Sequence, residues 1–333
     1  EPVVIQGTDG LGNYGGTWNI VSNSPAIFDA SHHWMGGATL VRWSPLGYPM
    51  VPHIAKGWES SADKKEWTFY LRKGMKWSDG NPFTVDDIIY WWEYEVKHEL
   101  VATPQSMRVK GYRGEIIKVD PHTVKFVFPH SHGLFLERLT ADLDVYSPRH
   151  YLEKYHPIFG NDVLIAARMK LEKTPTKKAL YVSLKRLNNP DHPRIWPWIY
   201  RTYKPNPPQV YVRNPYYWAV DTDGNQLPYI NRYSVEAKSH NLVPIAAANG
   251  AITMQPFNIY IQFYTYLMAQ REVGDYEVYH WYNSGASDWT IRPNLNKHIN
   301  PKDPRTEKKW ILLNDVRFRK ALSLAINRQQ IID

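Results

Sequence analysis

The stretch from residue 55 to residue 128 leaves the chain little freedom. Trp67-Thr-Phe-Tyr-Leu-Arg72 alternates as a strand with one buried face, and the segment around Gly57-Trp58-Glu59 is placed to pair with it across Ser60–Lys65. Gly74 and Asp79-Gly80 punctuate the chain before a helix. Thr84 can cap that helix, with Asp86 and Asp87 in its first turn, where carboxylates suit the positive end of the helix dipole. Val85, Ile88, Ile89, Trp92 and Val96 then share one face. Ile116–Val119, the turn Asp120-Pro121-His122 and Val124–Phe128 read as a hairpin. This pattern predicts a small sheet-and-helix unit, with Ile88, Ile89 and Trp92 buried near Phe69 and Phe126.

The rest of the chain alternates less strictly. Strands are predicted at Thr17–Ser22, Gln209–Arg213, Arg232–Ala237 and Tyr276–Trp281, with helices at Leu242–Asn249, Tyr264–Glu272 and after Asn314 or Asp315. In the last of these, Phe318, Leu322 and Ala325 form an apolar stripe. Alternating strands and helices indicate an α/β or mixed α+β protein, and 333 residues suffice for two compact units. No apolar run is long enough to cross a bilayer. The chain begins at Glu1 and not at Met, so a segment is expected to have been removed upstream, by cleavage of a secretion signal or otherwise.

Chemistry-bearing motifs are sparse. Cysteine is absent, which excludes disulfides, thiolate metal sites and a thiol nucleophile within these residues. Gly10-Leu-Gly12-Asn-Tyr-Gly15 fits a dinucleotide fingerprint literally, but strand-like residues follow where a helix would have to start. His32-His33 and His130-Ser-His132 lack further ligands, and Asp221-Thr-Asp-Gly224-Asn225 lacks the rest of a calcium loop, so it reads as a polar turn. No hydrolase, metalloprotease or P-loop signature is present. Carboxylates are plentiful, which keeps a glycan-active enzyme as an alternative. Net charge is +8, and residues 168–213 alone carry +9 with six clustered prolines and interleaved aromatics. That segment is the best case for nucleic acid, but no nucleic-acid module is visible, and a solvated linker or polar surface is the better reading.

Aromatic content is the outlier: 14 Trp, 23 Tyr and 10 Phe. Trp18, Trp34, Trp43, Trp77, Trp218, Trp281 and Trp289 sit among polar neighbours, which as a set suggests a surface that grips an extended ligand.

Several phrases resemble the family 5 extracellular solute-binding proteins, the oligopeptide-binding type of ABC importer receptor. They are Ile54-Ala-Lys-Gly-Trp-Glu59, the run Trp67-Thr-Phe-Tyr-Leu-Arg-Lys-Gly-Met-Lys-Trp-Ser-Asp-Gly80 and Pro82-Phe-Thr-Val-Asp-Asp87. Arg213-Asn-Pro-Tyr-Tyr-Trp218 and Gly224-Asn-Gln-Leu-Pro-Tyr229 are similar to a branch that includes oligosaccharide receptors. Asp315-Val-Arg-Phe-Arg-Lys-Ala-Leu-Ser-Leu-Ala-Ile-Asn-Arg328 resembles the helix that opens the family's second lobe.

The resemblance implies a periplasmic-binding-protein-like class II fold. Residues 1–50, 51–150 and 151–300 would form the first lobe, the middle segment being an inserted hairpin-and-helix subdomain. Residues 301–333 would open a second lobe largely absent from this chain, and the stripe at Phe318 would pack inside it. It also implies a non-enzymatic receptor, periplasmic or extracellular, that closes two lobes over an extended solute and hands it to ABC permease subunits. Membrane association would come only through the transporter or a removed anchor, and no cofactor, metal or nucleic acid is called for. Two departures bear on the ligand. Gly250-Ala-Ile-Thr-Met-Gln255 stands where relatives usually carry an acidic residue. The acidic residue that receives a peptide's amino terminus in peptide-binding relatives lies beyond this chain. The tryptophans and the 213–229 phrase weigh towards a β-linked oligosaccharide, while peptide is the family default, so both stay open. Ligand contacts are expected from Asn23 and Ser24, Trp34, Trp43, the stretch Gln255, Phe257 and Asn258, and Trp281, Tyr282 and Asn283, converging on one concave surface.

Overall fold

The computed structural model describes residues 1–7, 10–22, 37–141, 144–202, 208–256, 259–280, 292–296 and 298–327. Its main strands are β1 (Gly15–Ser22), β2 (Ala55–Ser60), β3 (Glu66–Leu71), β4 (Glu115–Asp120), β5 (Thr123–Val127), β6 (Trp198–Tyr200), β7 (Gln209–Arg213) and β8 (Ile230–Ala237). Its main helices are α1 (Val85–Tyr90), α2 (Asp162–Glu172), α3 (Lys177–Lys185), α4 (Val243–Ala248), α5 (Tyr264–Gly274), α6 (Pro304–Asn314) and α7 (Val316–Leu324). The chain divides into two compact units, Glu1–Val278 and Tyr279–Asp333.

Within the first unit, β2, β3, β5 and β4 lie side by side in that order, each antiparallel to the next. Trp58 pairs with Phe69, and Phe126 with Trp67. Period-two alternation sends Trp67, Phe69, Leu71, Val124 and Phe126 inward. Helix α1 starts in a capping box: the Thr84 hydroxyl accepts the Asp86 N–H at 3.2 Å, and the Asp87 carboxylate accepts the Thr84 N–H at 3.0 Å. It continues as a π-helical turn over Trp91–Val96. Val85, Ile88, Trp92 and Val96 are buried in one core with Phe69, Phe126 and Phe135, and Ile89 packs on its margin.

A second sheet runs β6-β7-β8-β1. Strands β6, β7 and β8 are antiparallel, whereas β1 joins β8 in parallel, with Gly15 opposite Ile230 and Ser22 opposite Ala237. One face carries Trp18, Ile20, Trp198, Tyr200, Tyr211, Tyr233 and Val235. Val21 points to the other face and packs against Val243 and Ala246 of α4. The glycines of Gly10–Gly15 lead into β1 and no helix starts there. Gly12 is needed for close approach, since a Cβ there would lie 2.4 Å from the Tyr229 ring.

Three expectations need correction. The described residues Tyr276–His280 form no strand; the Tyr276 hydroxyl instead donates to the Leu267 carbonyl of α5 at 2.6 Å. Residues 168–213 are not a solvated linker. They contain α3 and the end of α2, then a nearly continuous buried run from His192 to Tyr200. Their charges serve the fold: Arg168 bridges Glu172 and Asp191 at 2.9 and 3.0 Å, and buried Arg194 donates to the carbonyls of Lys185 and Arg186 where α3 ends. Finally, among the described residues most tryptophans are core, although Trp43 is exposed. Trp77 and Trp218 are buried along with Trp67, Trp91, Trp92, Trp196 and Trp198, and Trp18 is half-buried. Their polar neighbours in sequence misled because several indole N–H groups find internal acceptors, as Trp218 does in the Ile195 carbonyl at 3.1 Å. Trp34, Trp281 and Trp289 lie outside the described residues.

In the second unit, α6 and α7 are each started by an aspartate, Asp303 and Asp315, whose side chain accepts an N–H from the first turn. Phe318 is half-buried, and Leu322 and Ala325 are exposed.

Candidate functional site

Strands β1 and β8 run in parallel, so their carboxyl ends emerge together. Open sheets of this kind bind ligands outside the carboxyl ends of parallel strands. Ser22, fully buried, is the last residue of β1, and its carbonyl accepts the Lys238 N–H at 2.8 Å. Asn23 and Ser24 follow Ser22 directly in sequence but lie outside the described residues.

Along the outer edge of β1 lies Thr253–Gln255. The Thr253 N–H donates to the Asn19 carbonyl at 2.9 Å, and its hydroxyl joins the Asn19 N–H and the Thr17 carbonyl at 3.3 and 3.2 Å. The Gln255 amide copies a strand: Oε1 accepts the Val21 N–H at 3.0 Å, and Nε2 donates to the Val21 carbonyl at 2.7 Å. The Trp18 indole N–H donates to the Met254 carbonyl at 2.9 Å. Every outward group among the Thr17 carbonyl and the backbone of Asn19 and Val21 is thereby satisfied, and an incoming strand finds nothing there to pair with.

Of the expected ligand residues, two are described. Gln255 stands beside the carboxyl end of β1 with its amide turned onto the Val21 backbone. Trp43 ends the short strand Val41–Trp43, opposite Met50, and is 40% exposed. No described hydrogen bond or ring contact joins the two. Trp34, Phe257, Asn258, Trp281, Tyr282 and Asn283 lie outside the described residues, as do Asn23 and Ser24. Sequence reading missed Thr253 and Trp18 as anchors of this edge. They act on partners 236 residues away, a separation at which no short-range pattern reports.

The titratable groups Asp87, Glu95, Asp221 and His132 are engaged in holding the fold. Burial raises the Asp87 carboxyl to about 6, against the pull of N–H donors from Thr84, Arg149 and the Trp77 indole. Fully buried Glu95 accepts from Tyr181 Oη at 2.6 Å, from Ser147 Oγ at 2.8 Å and from Lys185. Desolvation opposes ionisation of Asp221, but hydrogen bonds from Tyr229, Asn225 and Asp223 hold it at about 2, so its turn is closed by its own neighbours. His132 is buried against the Ser106 carbonyl at 2.9 Å. Among the described residues no three His, Asp or Glu side chains gather as a metal ion would require.

A mixed lobe with a parallel strand pair opening at one end has the form of a binding-protein lobe. The chain belongs to the bacterial extracellular solute-binding proteins, family 5, whose model (family 5 Middle) matches residues 49–333. It is 27% identical to a periplasmic alpha-galactoside-binding protein of Rhizobium meliloti, in an alignment covering 99% of this chain and 49% of the relative. Among solved structures it resembles an oligopeptide-binding protein OppA, with a TM-score of 0.79 and 32% identity over 99% of this chain and 52% of that one. A periplasmic binding protein, MelB from Agrobacterium fabrum C58, solved in complex with stachyose, shares the fold with a TM-score of 0.65 and 23% identity, covering 97% of this chain and 49% of that one. The chain therefore spans about half the length of the relatives it matches.

Proposed function

We propose that this chain supplies the first lobe of a receptor for an ABC importer, which captures an extended oligomeric solute by lobe closure and delivers it to the permease. In this reading residues 1–50 and 151–300 form the lobe that meets the ligand, 51–150 form its inserted subdomain, and 301–333 begin the second lobe. The receptor works in the periplasm or outside the cell and breaks no bond. The observation that carries the reading is the parallel β1–β8 pair. Asn23 and Ser24 follow β1 directly in sequence, and the Thr253–Gln255 segment along the edge of β1 precedes Phe257 and Asn258 in the chain. Trp34, Trp43, Trp281, Tyr282 and Asn283 are proposed to complete the contacts, and Gln255 to act by holding β1 in place.

The ligand is an oligosaccharide or an oligopeptide. The closed outer edge of β1 from Thr17 to Val21 favours the sugar, because a peptide could not be added there as a strand. The experiment is a titration of the two-lobed protein, followed by tryptophan fluorescence and calorimetry. Its ligands are stachyose, raffinose, cello- and manno-oligosaccharides, and mixed short peptides. Saturable binding of one oligosaccharide class without turnover is expected. A response to peptides alone would end the sugar preference, and hydrolysis of the sugar would replace the receptor with an enzyme.

A further inference from the structure

Helix α2 buries little of itself. Only Ile165 is fully enclosed, with Met169 packed beside it against Leu152, Leu180 and Tyr181. The opposite side of the helix presents Val163, Leu164, Ala167, Lys170 and Leu171 to solvent, and Val163 and Leu171 are 77% and 71% exposed. A surface helix ordinarily turns polar residues outward, so this one is inverted.

The turn that leads into α2 continues the same character. Ile158 and Phe159 are both exposed, yet the turn is firmly built. His156 Nδ1 accepts the N–H groups of Ile158 and Phe159 at 3.2 and 3.3 Å, and the other ring nitrogen meets the Tyr94 carbonyl at 2.9 Å. Gly160 closes the turn where a Cβ would lie 2.6 Å from the His156 carbonyl oxygen. The ring of Phe159 rests on His98 and His156, with centroids 5.0 Å away in each case. Two apolar side chains are thus held out at a turn tip by a frame that costs no ordering on contact.

Around this surface the charge is one-sided. Residues 154–186 hold eight cations against two carboxylates, Asp162 and Glu172. Both carboxylates are neutralised, Asp162 by Lys177 at 2.5 Å and Glu172 by Arg168 at 2.9 Å. Exposed Lys170 and Lys173 have no carboxylate within ion-pair distance among the described residues.

We propose that the Pro157–Gly160 turn and the outer face of α2 dock on a bilayer surface carrying anionic phospholipid headgroups. Apolar side chains on one helix face, ringed by basic residues, are what an interfacial element needs to enter the headgroup boundary while its cations meet the lipid phosphates. The kind of cation separates a lipid from a protein partner. Protein–protein interfaces enrich arginine and deplete lysine, whereas here the cations on and next to α2 without a carboxylate partner are the exposed Lys170 and Lys173, and Arg168 is turned inward onto Glu172 and Asp191. Docking would hold the receptor close to the plane in which a permease lies, independently of any solute.

The test is cosedimentation of the full chain with vesicles of phosphatidylcholine alone or with 30% phosphatidylglycerol. Binding is expected to the anionic vesicles, at least tenfold weaker to the neutral ones and lost in high salt. Val163→Ser with Leu171→Ser, both solvent-facing and so harmless to folding, should weaken it about tenfold. Lys170→Glu with Lys173→Gln should do the same and reduce the salt dependence. Lys64→Glu with Lys65→Glu, at a distant turn, should leave it unchanged. Equal binding by the patch variants and the unaltered chain, or no binding to anionic vesicles, overturns the proposal. So does patch-dependent binding to native membranes that disappears once those membranes are treated with protease, which would assign the surface to a protein partner.

Discussion

The antiparallel sheet of β2–β5 and the mixed sheet that contains β1 are built by opposite strategies. In the first, neighbours along the chain become neighbours in space: β2 meets β3 across one turn, β4 meets β5 across another, and α1 covers them. Its polar groups are drawn inward and satisfied there, as with Asp87 and Glu95. In the second, β1 has no partner near it in sequence and is held by β8 on one edge and by Thr253 and Gln255 on the other. Its polar groups are used at its margin. A sheet of the first kind is specified largely by its own stretch of chain. A strand clamped from afar leaves a chain end pointing out of the sheet, and that is where a binding protein can meet its solute.

The comparison breaks first at Glu95. Its carboxylate is fully buried and serves Tyr181, Ser147 and Lys185 at once, with Tyr90 extending the chain of hydroxyls at 2.9 Å from Tyr181. Glu95→Ala would leave Lys185 and two hydroxyls without their acceptor, and removal of one member of such a buried pair costs about 3–5 kcal/mol. Urea denaturation followed by tryptophan fluorescence should register that loss. Native-state hydrogen exchange should place it in residues 85–185, with the β1–β8 pair little changed. Equal loosening of both sheets would mean that they form one cooperative block and the contrast is only topological.

How much could be read beforehand follows the same division. The hairpins, the Thr84 cap and the buried face Val85–Ile88–Trp92 were legible, because alternation and capping act over a few residues. The family was legible for a related reason: its most specific phrases lie in that same locally determined stretch. What was not legible depended on distant partners. Arg168 and Arg194 look like surface charge in sequence and turn out to bridge and cap elements brought from elsewhere. Trp77 and Trp218 look like a gripping surface and are core, because their acceptors, Asp87 and the Ile195 carbonyl, come with the fold. At the candidate site Gln255 was singled out by position, but its partner Val21 lies 234 residues away, beyond any periodicity.

Acid sharpens the contrast further. Burial, helped by the charge of Arg42, depresses His53 from 6.5 to about 3, and burial lowers His132, His156 and His192 as well. A histidine with a depressed folded pKa contributes stability that is complete above 6.5 and is lost as pH falls towards the folded value. For His53 the loss between pH 7 and pH 4 is roughly 3 kcal/mol at about 1.4 kcal/mol per unit. Asp87 works with the opposite sign. Burial raises its folded pKa to about 6, so its contribution is greatest below 3.8 and declines as pH rises through 6, offsetting about 2 kcal/mol of the acid loss. All four histidines lie between residues 53 and 192, so exchange at pH 4 should rise there before it rises in β7 and β8. His53→Asn keeps a donor for the Thr39 carbonyl and removes the titration, so its stability should vary with pH by roughly 3 kcal/mol less than the unaltered chain. An unchanged pH profile would show that His53 is already neutral in the unfolded chain or reachable by water in the folded one.

Gln255→Ala gives the smallest effect and the most local one. The substitution removes both hydrogen bonds to Val21, a residue otherwise enclosed against Val243 and Ala246, and leaves its N–H and carbonyl facing an edge without a partner. Leaving such groups unsatisfied costs about 1–3 kcal/mol, and water reaching the edge would bring the figure to the lower end. The Val21 amide should exchange faster, while amides of Phe69 and Phe126 in the antiparallel sheet keep their protection. On the proposed site, solute affinity should fall with it, because Asn23 and Ser24 follow β1 directly in sequence. Gln255→Glu distinguishes holding the strand from touching the solute: a carboxylate can still accept from the Val21 N–H but cannot donate to its carbonyl. If Gln255 acts through β1, the glutamate variant should lie between alanine and the unaltered chain both in Val21 exchange and in affinity. If affinity falls in both variants while Val21 exchange is unmoved, the amide meets the solute directly, and the clamp is not what shapes this end of the sheet.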